Sequence, residues 1–256
     1  MDIFHTLPRR VRATSLHVLV SGCIAALASV LVFLVWYPSP YGELTGGLNL
    51  FVLLTGVDLV LGPVLTAVVA APGKPMRELV RDIAVIACVQ VAAFGYGMYT
   101  IALARPAVVA FEVDRLRVVT AVEIETESLA AAPPGMRQLS WTGPVLLAAR
   151  KPTAPDEAFR AMTKGLGGVD LSMDPANWSD IAGARADMLR VARPISALTA
   201  HYPATGAAVQ SIAAKAGVAI DKLRFLPLMS RRDSWVALIS EPHADIVGYL
   251  PFDGFF

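Results

Sequence analysis

Three unbroken apolar runs fill most of the first 104 residues, and they constrain the fold more than any other feature. Residues 15–36 (SLHVLVSGCIAALASVLVFLVW) hold no charged residue in 22 positions. Residues 48–71 (LNLFVLLTGVDLVLGPVLTAVVAA) hold one, Asp58, in 24. Residues 83–104 (IAVIACVQVAAFGYGMYTIALA) hold none in 22. A hydrocarbon core about 30 Å thick is crossed by a helix of about 20 residues. Each run qualifies as a span, and three in succession with short polar connectors argue against buried helices of a water-soluble domain. The first run is too long for the apolar region of a cleaved signal peptide. No small-x-small site follows it, because the exit reads Trp36-Tyr37-Pro38. It is read as an uncleaved span.

Composition narrows the classes further. Hydrophobic residues make up 55% of the 256 and charged residues 17%, against about 25% charged in an ordinary soluble domain. A disordered tail, a collagen and a coiled coil are excluded. The net charge of +1 gives no electrostatic reason to expect a nucleic acid or an acidic polymer as partner. Cys23 and Cys88 both lie inside apolar runs, which excludes a disulfide framework.

Lys and Arg set the expected orientation. Arg9, Arg10 and Arg12 precede the first run, the connector 37–47 has neither residue type, and the connector 72–82 has Lys74, Arg77 and Arg81. Residues 1–14 and the second connector are therefore expected on the cytoplasmic side. The first connector and everything after Ala104 are expected outside, in the periplasm of a Gram-negative cell. Trp36, Tyr37, Tyr41 and Phe51 fit an aromatic belt at that outer boundary.

From Arg105 onward charge returns, with 16 Lys+Arg against 16 Asp+Glu. The segment is long enough for one domain with its own core. Valine-rich stretches at 107–113 and 117–123 read as paired strands with Asp114 at the reversal. Residues 138–149 read as a strand broken at Gly143-Pro144. Helical spacing is seen at 155–163, at 178–191 and at 207–216, the last ending at Gly217. Strands are expected at 223–229, 234–239 and 245–251, joined by short polar turns. Residues 125–135 and 165–175 read as loops. Strands, then helices, then strands argue α+β. The chain is thus read as a membrane protein: a cytoplasmic start (1–14), three transmembrane α-helices (15–104), and an α+β periplasmic domain (105–256) with a mostly antiparallel sheet.

Asp58 is the most informative single residue. A carboxylate near mid-bilayer costs about 2.5–3.5 kcal/mol on insertion scales, so it is expected to face other helices or water and to have a partner. Two readings stand beside each other: a polar contact for a substrate, proton or visiting helix, and a protonated acid bonded to a neighbouring span. Gln90 is the internal candidate, with depths about one helical turn apart in antiparallel spans. Pro63 frees the carbonyl of Leu59 beside Asp58. Gly56 and Gly62 leave room for a helix to approach. Gly95 and Gly97, with Tyr96 and Tyr99, read as packing features of the third span.

Enzyme signatures are mostly missing, and no cofactor or metal is expected. An intramembrane aspartyl protease needs two carboxylates in its spans, and there is one. His5, His17, His201 and His243 show no ligand spacing. There is no P-loop, no Gly-x-Gly-x-x-Gly and no Gly-x-Ser-x-Gly. A triad of Ser230, Asp233 and His243, or calcium on Asp170 and Asp174, would rest on proximity in sequence alone.

The membrane region carries an ordered set of motifs: Trp36-Tyr37-Pro38, Gly46-Gly47, VDLVLGPVLT at 57–66, PGKP at 72–75, DIAVIACVQVAAFGYG at 82–97 and Arg105-Pro106. Weaker matches follow in SWTGP at 140–144, RFLPL at 224–228 and GYLPFD at 248–253. In these the chain resembles the type IV pilin accessory proteins of the TfpX/TfpZ type. The C-terminal FDGFF departs from that pattern. The start carries no prepilin-type leader, so the chain does not read as a pilin itself. The resemblance implies a chaperone-like inner-membrane partner of a type IV major pilin, acting on pilin stability, assembly or pilus dynamics, and not an enzyme. It implies contact with both the pilin's transmembrane helix, with its N-terminal amine and a nearby glutamate, and its periplasmic head. The expected partner-binding residues are Thr55, Asp58, Gly62, Pro63, Gln90 and Tyr96 in the spans and Trp141 in the domain. A membrane-anchored enzyme acting on pilin and a membrane-tethered ligand sensor are the alternatives. The lipid bilayer is a further partner, and the oligomeric state is left open.

Overall fold

A computed structural model of the chain describes residues 8–71 and 73–256. His5, the rest of residues 1–7, and Pro72 of the PGKP motif lie outside the described residues. The chain divides into two compact units: residues up to Pro38 together with Gly47–Leu103, and Ser39–Gly46 together with Ala104–Phe256.

The first unit is built from three helices long and apolar enough to cross a membrane, among the described residues. Helix α1 (Arg9–Val30) continues through a wider π-helical turn (Leu31–Trp36). After a short helix, α2 (Tyr41–Leu44), come α3 (Gly47–Val69) and α4 (Met76–Leu103). The middle helix α3 packs against both α1 and α4. Its buried positions are Gly47, Phe51, Thr55, Gly62, Pro63 and Thr66. They recur at a spacing of about 3.6 residues, so they form one stripe. The outward faces are apolar, with Leu27, Leu34, Leu53 and Val89 all largely exposed. Small and polar residues inside, large apolar residues outside, is the arrangement that helix association in lipid selects.

At one end of this bundle the motif residues become legible. The Tyr37 hydroxyl donates to the Ile101 carbonyl at 2.8 Å. A Cβ at Gly47 would overlap the Tyr37 ring. Phe33 and Phe51 meet edge to face at 5.2 Å. Tyr37 and Phe51 are buried, which corrects their expected place in an aromatic belt: their rings close the helix packing.

The second unit carries one sheet in the order β4-β3-β1-β2-β6-β7-β8, with β5 pairing β6 to one side. The strands are β1 (Pro106–Glu112), β2 (Arg115–Thr120), β3 (Val145–Ala149), β4 (Trp178–Ser179), β5 (Arg193–Pro194), β6 (Leu223–Met229), β7 (Ser234–Ser240) and β8 (Asp245–Leu250). The hairpin β1–β2 and the meander β6–β7–β8 are antiparallel as expected. The sheet as a whole is mixed, and the expectation of a mostly antiparallel one is corrected. β3 lies parallel to β1, and β6 lies parallel to β2. Both follow long crossovers, which can return a chain in the same direction where a tight turn cannot.

Alternation within strands sorts the core. Val109 and Phe111 of β1, Leu116 and Val118 of β2, Leu226 and Leu228 of β6 and Trp235 and Ala237 of β7 share one face. The other face is covered in two parts. Ala107, Val108, Val119, Leu147, Met173 and Trp178 form one. The helices α7 (Ile195–His201) and α8 (Gly206–Ala216) form the other, packing on Phe225, Val236 and Leu238. Helix α5 (Pro155–Leu166) starts and ends near the expected bounds. The stretch read as one helix at 178–191 is instead strand β4, a 3-10 turn and the shorter α6 (Arg185–Val191). Pairing of Trp178 and Ser179 with β3 overrides the helical spacing there.

The connector Ser39–Gly46 belongs to this unit. Leu44 is fully buried on the shared sheet face beside Tyr41. The Ser230 hydroxyl donates to the Leu44 carbonyl at 2.7 Å, and the Tyr41 and Tyr249 hydroxyls bond at 2.8 Å. Burial pushes both phenols above the ordinary tyrosine pKa. Tyr41 is thus a core residue, not part of a boundary belt.

Candidate functional site

The groove among the three long helices encloses about 570 Å³. One wall is α1, through Leu16, His17, Val20 and Ile24; the other is α4, through Ile83, Ala87, Val91 and Phe94. Asp58 and Thr66 of α3 lie between them, with Gln90 reaching over from α4. Asp58, Gly62 and Thr66 are four residues apart in turn, so they share one face of α3.

The polar residues of this floor are joined in pairs. Gln90 Nε2–H donates to Asp58 Oδ1 at 3.0 Å and approaches the Asp58 carbonyl at 3.4 Å. His17 Nδ1 and Thr66 Oγ1 share a hydrogen bond of 2.7 Å. A Cβ at Gly62 would overlap both Gln90 Nε2 and His17 Nε2, so only glycine lets α1 and α4 both bring these side chains over α3. Pro63 is buried within α3 without ending it. The groove therefore pairs an apolar wall on each side with a narrow polar floor, and the Asp58 carboxyl is only partly covered.

Of the residues singled out from sequence, Asp58, Gly62 and Gln90 meet here, while Pro63 is buried in α3 beside Gly62 and outside the groove lining. Thr55 does not take part: it is buried and donates to the Phe51 carbonyl of its own helix at 2.8 Å. Tyr96 is 73% exposed and outside the groove lining. Trp141 lies in the sheet unit, where the Arg105 guanidinium stacks 3.8 Å from its ring centroid. Sequence reasoning missed His17. The signal was present, because a polar, ionisable side chain inside an apolar run merits the same scrutiny as Asp58. A count of formal charges passes over it.

The other sequence candidates are committed elsewhere. The Ser230 hydroxyl is bonded to the Leu44 carbonyl and does not form a triad with Asp233 and His243. Asp170 faces Arg117 at 3.0 Å, and Asp174 faces Lys164 at 2.6 Å. Hydrogen bonds that the Lys164 ammonium donates to Asp174 and Glu125 hold it above the ordinary lysine pKa.

These features define a class: three long apolar helices with a polar-floored groove, followed by a mixed-sheet domain. The model of the fimbrial assembly protein FimB matches residues 5–46. The chain is 33% identical over 245 residues to the "Fimbrial assembly protein, serogroup I" of Dichelobacter nodosus, covering 95% of both chains. It is 31% identical over 245 residues, again 95% of both, to the serogroup E1 protein of the same organism. To the protein of serogroups C1 and C2 it is 40% identical over 121 residues, covering 47% of this chain and 92% of that one. The chain belongs to this fimbrial assembly protein family. No solved structure matches it.

Proposed function

We propose that the chain is an inner-membrane accessory protein of type IV pilus assembly, not an enzyme, that binds the major pilin before its incorporation. On this reading the three long helices cross the bilayer with the N-terminus in the cytoplasm and the sheet domain in the periplasm. The distribution of Lys and Arg, three before the first span, none in the first connector and three in the second, supports that orientation. The family supports the process. The observation that carries the partner is the groove: its walls suit an apolar helix, and Asp58 and Gln90 offer a polar contact on its floor. A pilin waiting in the membrane is such a helix. The sheet domain, with Trp141 at its surface, would meet the pilin head and set partner choice.

The test is co-purification of pilin with the full chain in mild detergent. Asp58→Asn and Gln90→Ala are expected to lower pilin recovery several-fold at unchanged levels of the accessory protein, with reduced surface piliation. Wild-type recovery and piliation in both variants would remove this reading.

A further inference from the structure

Helix α5 has its amphipathic pattern turned outward. Phe159, Met162 and Leu166 stand at i, i+3 and i+7, so they form one stripe. They are 66%, 58% and 85% exposed. The charged residues of the helix, Asp156, Glu157, Arg160 and Lys164, occupy the rest of its circumference. Glu157 pairs with Arg150, and Lys164 with Glu125 and Asp174. A surface helix ordinarily gives its apolar stripe to the core and its polar side to water. Here ion pairs hold the polar side to the domain, and the apolar stripe is left open. Single exposed apolar residues need no explanation. Three large ones aligned on one helix of 12 residues do.

Size separates the possible occupants. A stable protein–protein contact takes about 800 Å² and about 20–30 residues from each side. The stripe offers three large side chains along about 18 Å of helix. That is too little for a second copy of the chain or for the main contact of a protein partner. It matches an interfacial helix, whose apolar face enters the headgroup boundary of a bilayer by about 5–10 Å with Lys or Arg on its polar side. Arg160 lies beside the stripe and Lys151 precedes the helix, both exposed.

Chain connectivity supplies the bilayer. Ala104 and Arg105 alone separate α4 from β1, about 7 Å of extended chain. A short path of contacts joins that entry to the end of α5. The Arg105 carbonyl accepts from the Ala121 amide at 2.9 Å, Glu125 follows four residues on, and Glu125 accepts from the Lys164 ammonium at 2.6 Å.

We infer that α5 lies on the surface of the bilayer that the long helices cross, with Phe159, Met162 and Leu166 entering the lipid headgroup region. This rests on the membrane-spanning reading above and adds a second, peripheral contact to it. A domain on a two-residue tether can swivel. A second point of attachment, held to the domain by the pairs of Glu157 and Lys164, stops that and presents one side of the domain to a partner in the membrane.

The experiment uses the full chain in nanodiscs of phosphatidylcholine and phosphatidylglycerol. Cys23→Ala and Cys88→Ala remove the native thiols, so that one introduced cysteine carries an environment-sensitive fluorophore. Met162→Cys places it on the stripe, and Val89→Cys places it on the exposed side of α4. The Met162 probe is expected to be blue-shifted and quenched by a lipid with a nitroxide near its headgroup. Iodide should quench it several-fold less than after Phe159→Asp and Leu166→Asp, with amide exchange of β6 and β7 unchanged in that variant. A Met162 probe that iodide reaches freely, beside a Val89 probe in lipid, overturns the inference and leaves the spanning reading standing. A Val89 probe that no lipid nitroxide quenches removes both. Protection of the Met162 probe that appears only with a second chain in the disc, or only with pilin added, also overturns the inference, because it assigns the stripe to a protein.

Discussion

The two units of this chain solve opposite packing problems. In the sheet unit large apolar side chains are inside: Phe225, Leu226, Leu228, Val236 and Leu238 are all fully buried. In the helical unit the large apolar side chains are mostly outside, and the buried stripe of α3 is Gly, Thr, Pro and one Phe. The first is held together by removing apolar surface from water. The second has the packing of helices that associate in lipid, where apolar surface gains nothing by being hidden and where close approach and hydrogen bonds decide the contacts. The same residue type should therefore matter in one unit and hardly at all in the other.

Leucine gives the sharpest contrast. Leu44→Ala, on the shared sheet face, is expected to cost about 2–5 kcal/mol. Leu53→Ala, 66% exposed on α3, is expected to stay within about 0.5 kcal/mol. Amide exchange of β6 and β7 in detergent-purified protein measures the first, and thermal unfolding compares both. Similar losses at the two positions would break the contrast between the units.

A smaller effect tests strain confined to the sheet unit. Val113 sits at φ +60, between β1 and β2, where Asp114 N–H donates to the Glu112 carbonyl at 2.7 Å. A β-branched side chain is costly in that region. Val113→Gly is expected to stabilise the sheet unit by about 1 kcal/mol, read as a higher midpoint in urea. A lower midpoint would show that the side chain contributes more by contact than it costs in backbone strain.

The smallest effect concerns α5, whose polar side faces the body of the domain. Arg150 and the Thr153 amide bond Glu157, while Phe159, Met162 and Leu166 point outward. The bond from Arg150 holds the Glu157 carboxyl below the ordinary glutamate pKa. A depressed carboxylate pKa contributes stability above the unfolded value, and that contribution is lost as pH falls through the folded value. Amide exchange in α5 should therefore quicken below about pH 4.5 before exchange in β6 and β7 does. Simultaneous acceleration in all three would mean that α5 is not held by this pair.

The long helices were the most legible part, because an uncharged run of 22 residues has few other uses. Asp58 and Gln90 were legible for the same reason: polar groups stand out against an apolar background. His17 stood against the same background, yet its relevance depended on which turn of α1 faces α3, and no pattern within a uniformly apolar helix reports that. The strand positions in the meander were legible from alternation. The parallel contacts of β1 with β3 and of β2 with β6 were not, because local pattern says nothing about where a crossover lands. The role of 39–46 was hidden in a similar way: Tyr41 reads as a boundary residue, and Leu44 carries no signal of its own, until Tyr249 and Ser230, about 190 positions or more away, are brought against them.

By itself the sequence determined the composition of the two units, the existence of the long helices and most strands, and the expense of a carboxyl group in apolar surroundings. Those follow from properties local in the chain: hydropathy, periodicity and charge. Only the tertiary structure decided which polar groups share a floor, why Gly62 has no room for a side chain, and that the first connector is part of the sheet domain's core. Each of those depends on contacts between distant segments, and such contacts are fixed by packing, which no single stretch of sequence contains.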